Sequence, residues 1–218
     1  MRWILIALSL MPFVPTAAAQ TNDADWSKCT SSDPDTSIAG CTTLIQSGGE
    51  TGDNLANAYY DRATSYLIKG QTDAAIADYT AAIALKPDYV SAYVNRGVAY
   101  EDKGLYDKAI ADDNSVIALK PDTAELAQAY DNRANAYSDK GLRDRAIADF
   151  GQALSLRPDF ALAYFNRGNC YENKGLRDAA VADYRAALKY APDNPQNPQW
   201  AQAAQEARER LKRLGATP

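Results

Sequence analysis

The chain has 218 residues, a formal net charge of −5 and no histidine. Its length suits one domain. Its acidity argues against a nucleic-acid footprint and mildly favours a cationic partner, and the lack of His removes the commonest general base and metal ligand. No nucleophile elbow, phosphate loop or metal-ligand spacing is present, so no enzyme, metal or cofactor is expected. A carboxylate pair for hydrolysis is not excluded by counting acids, but the acids recur with a period, and repeated residues usually serve structure.

Residues 1–19 read as a signal peptide. One cation, Arg2, precedes the apolar run Trp3 to Leu10, then Pro12, Pro15 and Ala17-Ala18-Ala19, with cleavage expected before Gln20. An uncleaved anchor is the alternative, although the run is far short of the roughly 20 residues a span needs. Residues 20–55 come next as a leader and half-repeat. Gln20 to Asp33 is polar and is expected to be a loose leader. Pro34 to Gln46 predicts a helix with Ile38, Cys41, Leu44 and Ile45 on one face, stopped at Ser47-Gly48-Gly49. Cys29 and Cys41 are expected to pair once the chain is exported. A bridge over so short a loop would contribute on the order of 3 kcal/mol; two buried thiols are the alternative.

From residue 56 the chain repeats itself. Lys-Gly recurs at Gly70, Gly104, Gly141 and Gly175, and Pro-Asp recurs in step at Pro87, Pro121, Pro158 and Pro192. Self-similarity at this period predicts a stack of helix pairs, none of which can bury its apolar face alone. The glycines stop each first helix. Asp73, Asp107, Asp144 and Asp178 fall in the first turn of each second helix, where the dipole favours anions. Lys86, Lys120 and Arg157 end those helices, and Asp88, Asp122, Asp159 and Asp193 can each cap the next helix. The insertion Thr123-Ala124-Glu125 predicts that the third repeat starts a turn early, as Leu55 to Tyr59 predicts for the first. Cys170 is matched by Ser65, Ala99 and Ala136 and reads as a small buried residue rather than a reactive thiol. Past Pro195 and Pro198, a last helix carries Trp200, Ala203, Ala204, Ala207, Leu211 and Leu214 as its apolar stripe. Its other side is wet: Gln205, Glu206, Arg208, Glu209, Arg210, Lys212 and Arg213. It reads as a cap for the stack, with a membrane-surface helix as the rival.

Within each repeat the order is Tyr-x2-Arg-(Gly/Ala)-x2-Tyr, then Ala-x3-aromatic, then Pro. The second copy gives Tyr93, Arg96, Gly97, Tyr100, Ala109, Asp113 and Pro121. The others give Tyr59, Arg62, Ala63, Tyr66, Ala75, Tyr79, Pro87; Tyr130, Arg133, Ala134, Tyr137, Ala146, Phe150, Pro158; and Tyr164, Arg167, Gly168, Tyr171, Ala180, Tyr184, Pro192. This resembles the tetratricopeptide repeat family over roughly residues 56–194. Two departures stand out: Arg replaces the usual Leu in every copy, and Asp113 sits where an aromatic normally packs. The resemblance implies an all-α, right-handed helical-repeat solenoid. It would hold an N-terminal half-repeat, four helix pairs (56–89, 90–123, 127–160 and 161–194), and a C-terminal capping helix and tail over 195–218. It also implies a bacterial cell-envelope protein, periplasmic or secreted, with no stable membrane span after signal removal.

A charge in place of an apolar residue needs a partner when partly buried. Arg62, Arg96, Arg133 and Arg167 each precede an Asp by 16 residues, namely Asp78, Asp112, Asp149 and Asp183. A structural ladder of ion pairs is expected, with Arg heads snorkelling to water as the alternative. The family binds peptides along its first helices. That implies a groove holding Tyr60, Asp61, Asn95, Glu101, Asp131, Asn132, Asn135, Phe165, Asn166, Asn169 and Glu172. Asn95, Asn132 and Asn166 stand directly before the recurrent Arg and resemble an asparagine row that reads peptide main chain; bonding to a neighbouring helix is the alternative. The Lys positions of the family's carboxylate clamp are unfilled. The expected function is a non-enzymatic scaffold for a protein or extended peptide, with a preference for basic sequences. A self-associating envelope protein is the alternative, and an envelope enzyme a distant third.

Overall fold

The computed structural model describes residues 17–190 and 198–217; the signal-peptide expectation falls almost wholly outside them, as do Asp193, Pro195 and the side chain of Trp200. The described residues form eleven helices and no strand. These are α1 (Ala17–Cys29), α2 (Pro34–Ser47), α3 (Gly52–Ile68), α4 (Thr72–Leu85), α5 (Val90–Asp102), α6 (Tyr106–Leu119), α7 (Thr123–Asp139), α8 (Arg143–Leu156), α9 (Ala161–Asn173), α10 (Arg177–Tyr190) and α11 (Pro198–Arg213). None is long and apolar enough to cross a membrane.

The turn inside each repeat is built by glycine. Gly70, Gly104, Gly141 and Gly175 hold φ between 68 and 75°, a left-handed conformation in which a Cβ is strained. Around the first, the Gln71 amide donates to the Tyr66 carbonyl and the Gly70 amide to Leu67, which satisfies two carbonyls at the helix end. The same pair of bonds closes the other three repeats. The first and third repeats do start early: α3 and α7 run 17 residues, α5 and α9 only 13. Only the longer entry of α7 lets its Asp act as a cap. Asp122 accepts from the Ala124 and Glu125 amides, whereas α5 and α9 begin at Tyr89 and Phe160 without a side-chain cap. Asp88 and Asp159 are therefore not the caps expected of them.

Each second helix packs on its own first helix and on the next one. Successive first helices α3, α5, α7 and α9 also touch, and the second helices α4, α6, α8 and α10 do not touch each other. The first helices are thus the inner row of a curved stack. Alanines fill the helix contacts, and Tyr79, Phe150 and Tyr184 are wholly buried between them. Burying each such ring contributes about 1.5–3 kcal/mol.

The two ends of the stack are closed by the chain itself. Gln20 to Asp33, expected as a loose leader, is helical to Cys29 and packs on α2. Gly40 makes that contact, since a Cβ there would lie 2.5 Å from the Cys29 nitrogen. Cys29 and Cys41 are joined by a disulfide, and the Trp26 indole donates to Glu50 at 2.9 Å. Cys170 is buried, and burial pushes its thiol pKa up, as suits an inert packing residue. At the other end Ala207 and Leu211 of α11 are buried against α9 and α10.

Candidate functional site

The concave row is held in place by charge. Arg62 Nε and Nη2 donate to Asp78 at 2.6 and 2.9 Å, and Arg96 to Asp112 at 2.9 and 2.6 Å. Arg133 donates to Asp149 at 2.7 and 2.8 Å, and Arg167 to Asp183 at the same distances. All four pairs are two-pronged, and all four Asp are buried. Each guanidinium is also held between the tyrosines three before and four after it. For Arg133 these are Tyr130 and Tyr137, at 5.4 and 5.9 Å. Hydrogen bonding to Asp149 and Asp183 raises the pKa of Arg133 and Arg167. The remaining nitrogen reaches back one repeat: Arg62 to Thr42, Arg96 to Thr80, Arg133 to Asn114. Sequence reasoning misses that backward bond. Its signal is the polar residue after each buried aromatic position, and Gly151 breaks the series at the fourth pair.

A second, outer set of ion pairs runs between repeats. Lys69 bonds Asp35, Lys103 bonds Asp73, Lys140 bonds Asp107 and Lys174 bonds Asp144. In the sequence these residues suit helix dipoles, but each Lys reaches the second helix of the preceding pair. Every Asp in the set is well exposed, so each link contributes little alone.

The expected groove residues lie on this inner row, and several are engaged within the protein. Asn95 donates to the Tyr60 hydroxyl at 3.1 Å, and Asn166 to the Asn135 carbonyl at 3.0 Å, each spanning two repeats. Asn132 accepts from Gln128 on its own helix. Among the described residues each of the three makes a bond through one half of its amide group only: the nitrogen of Asn95 and Asn166, the oxygen of Asn132. Tyr60 stacks on Tyr89, and burial raises the pKa of Asp61 beside it. The Asn169 side chain lies 2.8 Å from the Tyr184 hydroxyl. Two expected groove residues are taken up by the chain. Phe165 is buried against Tyr184, and Glu172 accepts from Tyr184 and pairs with Arg210 at 3.0 Å and Arg213 at 2.8 Å. These two α11 arginines are therefore not simply part of a wet side.

The middle of the groove is acidic and unsatisfied. Asp113, Glu101 and Asp131 each hold a buried carboxylate oxygen without a hydrogen-bond partner. Burial, with Glu101 and Asp112 adding repulsion, pushes Asp113 up to about 8. Burial and the neighbouring Asp139, Asp131 and Asp102 push Glu101 to about 7, and burial pushes Asp131 to about 7 against its bond from Asn135. No group of His, Cys, Asp or Glu among the described residues could hold a metal ion.

This geometry is that of a helical-repeat scaffold, and comparison with known proteins gives the family. Models described as TPR repeat and Tetratricopeptide repeat match residues 63–104, 90–123 and 132–198. The chain belongs to the tetratricopeptide repeat proteins, a class that works as protein-interaction scaffolds. No curated protein matches the sequence. Among solved structures, a crystal structure of MamA protein is 26% identical with a TM-score of 0.69, covering 79% of this chain and 92% of that one. A second MamA crystal structure is 27% identical with a TM-score of 0.67, covering 78% and 93%. MamA 41-end from Desulfovibrio magneticus RS-1 is 15% identical with a TM-score of 0.70, covering 81% and 97%; it shares the fold.

Proposed function

We propose that this protein is a non-enzymatic scaffold that holds an extended, basic segment of a partner protein along the inner row α3, α5, α7 and α9. One observation carries the reading: the inner row presents half-satisfied Asn amides in successive repeats beside an acidic middle, with its own framework charges already paired. An Asn amide can serve a peptide N–H or C=O, so the row reads main chain, while the acids supply the basic preference. We also assign the protein to an oxidising, exported compartment, periplasmic or secreted. The Cys29–Cys41 disulfide supports this assignment, and N-terminal sequencing from the native source should find Gln20 first.

The groove is tested by calorimetry with a basic extended peptide selected by library screening. Asn132→Ala removes an amide nitrogen that bonds nothing among the described residues, together with an oxygen that accepts only from the part-exposed Gln128 on the same helix. It should weaken binding by about 1 kcal/mol, roughly fivefold, with the melting temperature unchanged. Unchanged affinity with a lowered melting temperature would make this Asn structural. Light scattering that grows with protein concentration, with no peptide bound, would favour self-association instead.

A further inference from the structure

The second and fourth repeats differ at one corner, and the difference points to a ligand group. In the fourth, Glu172 on α9 meets the Tyr184 hydroxyl from α10 at 2.6 Å, and the following helix α11 supplies Arg210 and Arg213 to its two oxygens. The chain itself thus shows what this corner holds: a carboxylate closed by guanidinium. In the second repeat Glu101 on α5 occupies the position of Glu172, and Asp113 on α6 that of Tyr184. The following helix, α7, brings Asp131 instead of an arginine. Glu101 stands between the other two acids, repelling Asp113 across its own pair and repelled by Asp131 of the next, and each of the three has a buried oxygen with no hydrogen-bond partner among the described residues. Asp113 is 2% exposed and Asp131 5%.

The shorter side chain also leaves room. A Cβ at Gly168 would lie 2.8 Å from the Tyr184 ring, but one at the equivalent Gly97 would meet nothing closer than Asp112 Cβ at 3.8 Å. The cations nearest these acids are committed elsewhere: Arg133 to Asp149 and Asn114, Arg157 to Asp159 at 3.6 Å and to the Phe160 face. Val98, beside the corner on α5, is exposed, so the inner face is open there.

Resting on the groove reading above, we propose that Glu101, Asp113 and Asp131 form a subsite that takes the guanidinium of an arginine side chain from the bound segment. Charge-assisted bonds to carboxylates suit a planar five-donor group, which can serve several oxygens at once. Burial raises the pKa of all three acids to about neutrality or above, and repulsion from neighbouring acids adds to it at Asp113 and Glu101, with Asp102 and Asp139 contributing around Glu101. The entering cation therefore displaces protons to solvent, and the arginine itself is unchanged.

The test uses the full chain and two probes. One is a Gly-Ser peptide with a central arginine, compared with the same peptide carrying citrulline, its neutral counterpart. The other is methylguanidinium, followed by amide NMR shifts. The arginine peptide should bind at least about tenfold tighter and release protons, seen as a binding heat that changes with buffer. Glu101→Gln and Asp113→Asn should abolish both the preference and the proton release while folding normally. Equal affinity for the two peptides, or a preference that survives in both variants, overturns the subsite and leaves the groove standing. If neither peptide binds but methylguanidinium shifts the amides around Glu101, Asp113 and Asp131 in the wild type alone, the subsite stands and the groove reading falls. If neither probe acts on the wild type, the subsite is wrong.

Discussion

Asp149→Ala tests the inner framework directly. Asp149 is 7% exposed and carries two short bonds from Arg133, itself held between two tyrosine rings. Truncation leaves a largely buried guanidinium whose remaining hydrogen-bond partner among the described residues is Asn114. Breaking a buried pair in this way costs about 3–5 kcal/mol. The Arg133 side chain keeps 17% exposure, and its stem can tilt toward solvent, so the lower end, about 3 kcal/mol, is expected. In a chain of this size that lowers the melting temperature by roughly 6–12 °C. Urea unfolding followed by circular dichroism measures the change. Arg133→Met should also destabilise, and the double variant should recover part of the loss, because the stranded charge has gone. A loss below about 1 kcal/mol for Asp149→Ala would show that the pair behaves as a solvated one, and the framework argument would fail.

Two other outcomes are expected of the same structure. Glu101, Asp113 and Asp131 all have folded-state pKa values raised above their ordinary 4.5, 3.8 and 3.8, so the folded state binds more protons than the unfolded one between about pH 4 and 8. Stability should fall as pH rises from about 5 to about 8, and Asp113→Asn should flatten that slope and raise the urea midpoint at about pH 8; an unchanged slope would count against a strained acid cluster. Replacing Cys29 and Cys41 together by Ser removes the crosslink over a separation of 12 residues and should cost about 3 kcal/mol. Amide exchange should show that loss in α1 and α2 while α5 to α10 stay protected, and a uniform loss would mean the first pair does not fold as a separable unit.

The solenoid is legible in the sequence because its punctuation is local. A glycine that must take positive φ and a proline that cannot continue a helix mark every pair. The Arg–Asp pairs are legible for a different reason: a cation at an apolar position demands a partner, and one candidate repeats at constant spacing. Contacts between pairs are not legible where a residue already has a local explanation. Lys103 and Asp73 each suit a helix terminus, so nothing in the sequence joins one to the other. Likewise Glu172 looks open because the arginines that close it lie about 40 residues on, in α11. The helix α1 escapes detection because its sequence carries no apolar stripe, and among the residues 23–29 whose burial is described only Trp26, Asp25 and Cys29 leave the solvent. At Asp113 the departure from pattern is visible, but its consequence depends on Glu101 facing it from α5, which the sequence does not place there.

The two sets of ion pairs divide the labour in a way that ionic strength can reach. The Arg–Asp pairs lie inside each repeat, shielded from mobile ions, whereas the Lys–Asp links cross from one repeat to the next at the exposed loop edge. Screening weakens charges in water far more than charges in a protein interior. Added salt therefore leaves each helix pair rigid and loosens the joints between pairs. The stack should then act as a spring that salt softens slightly at its joints, since each exposed link is worth little alone and the buried contacts between repeats keep the rest of the stiffness.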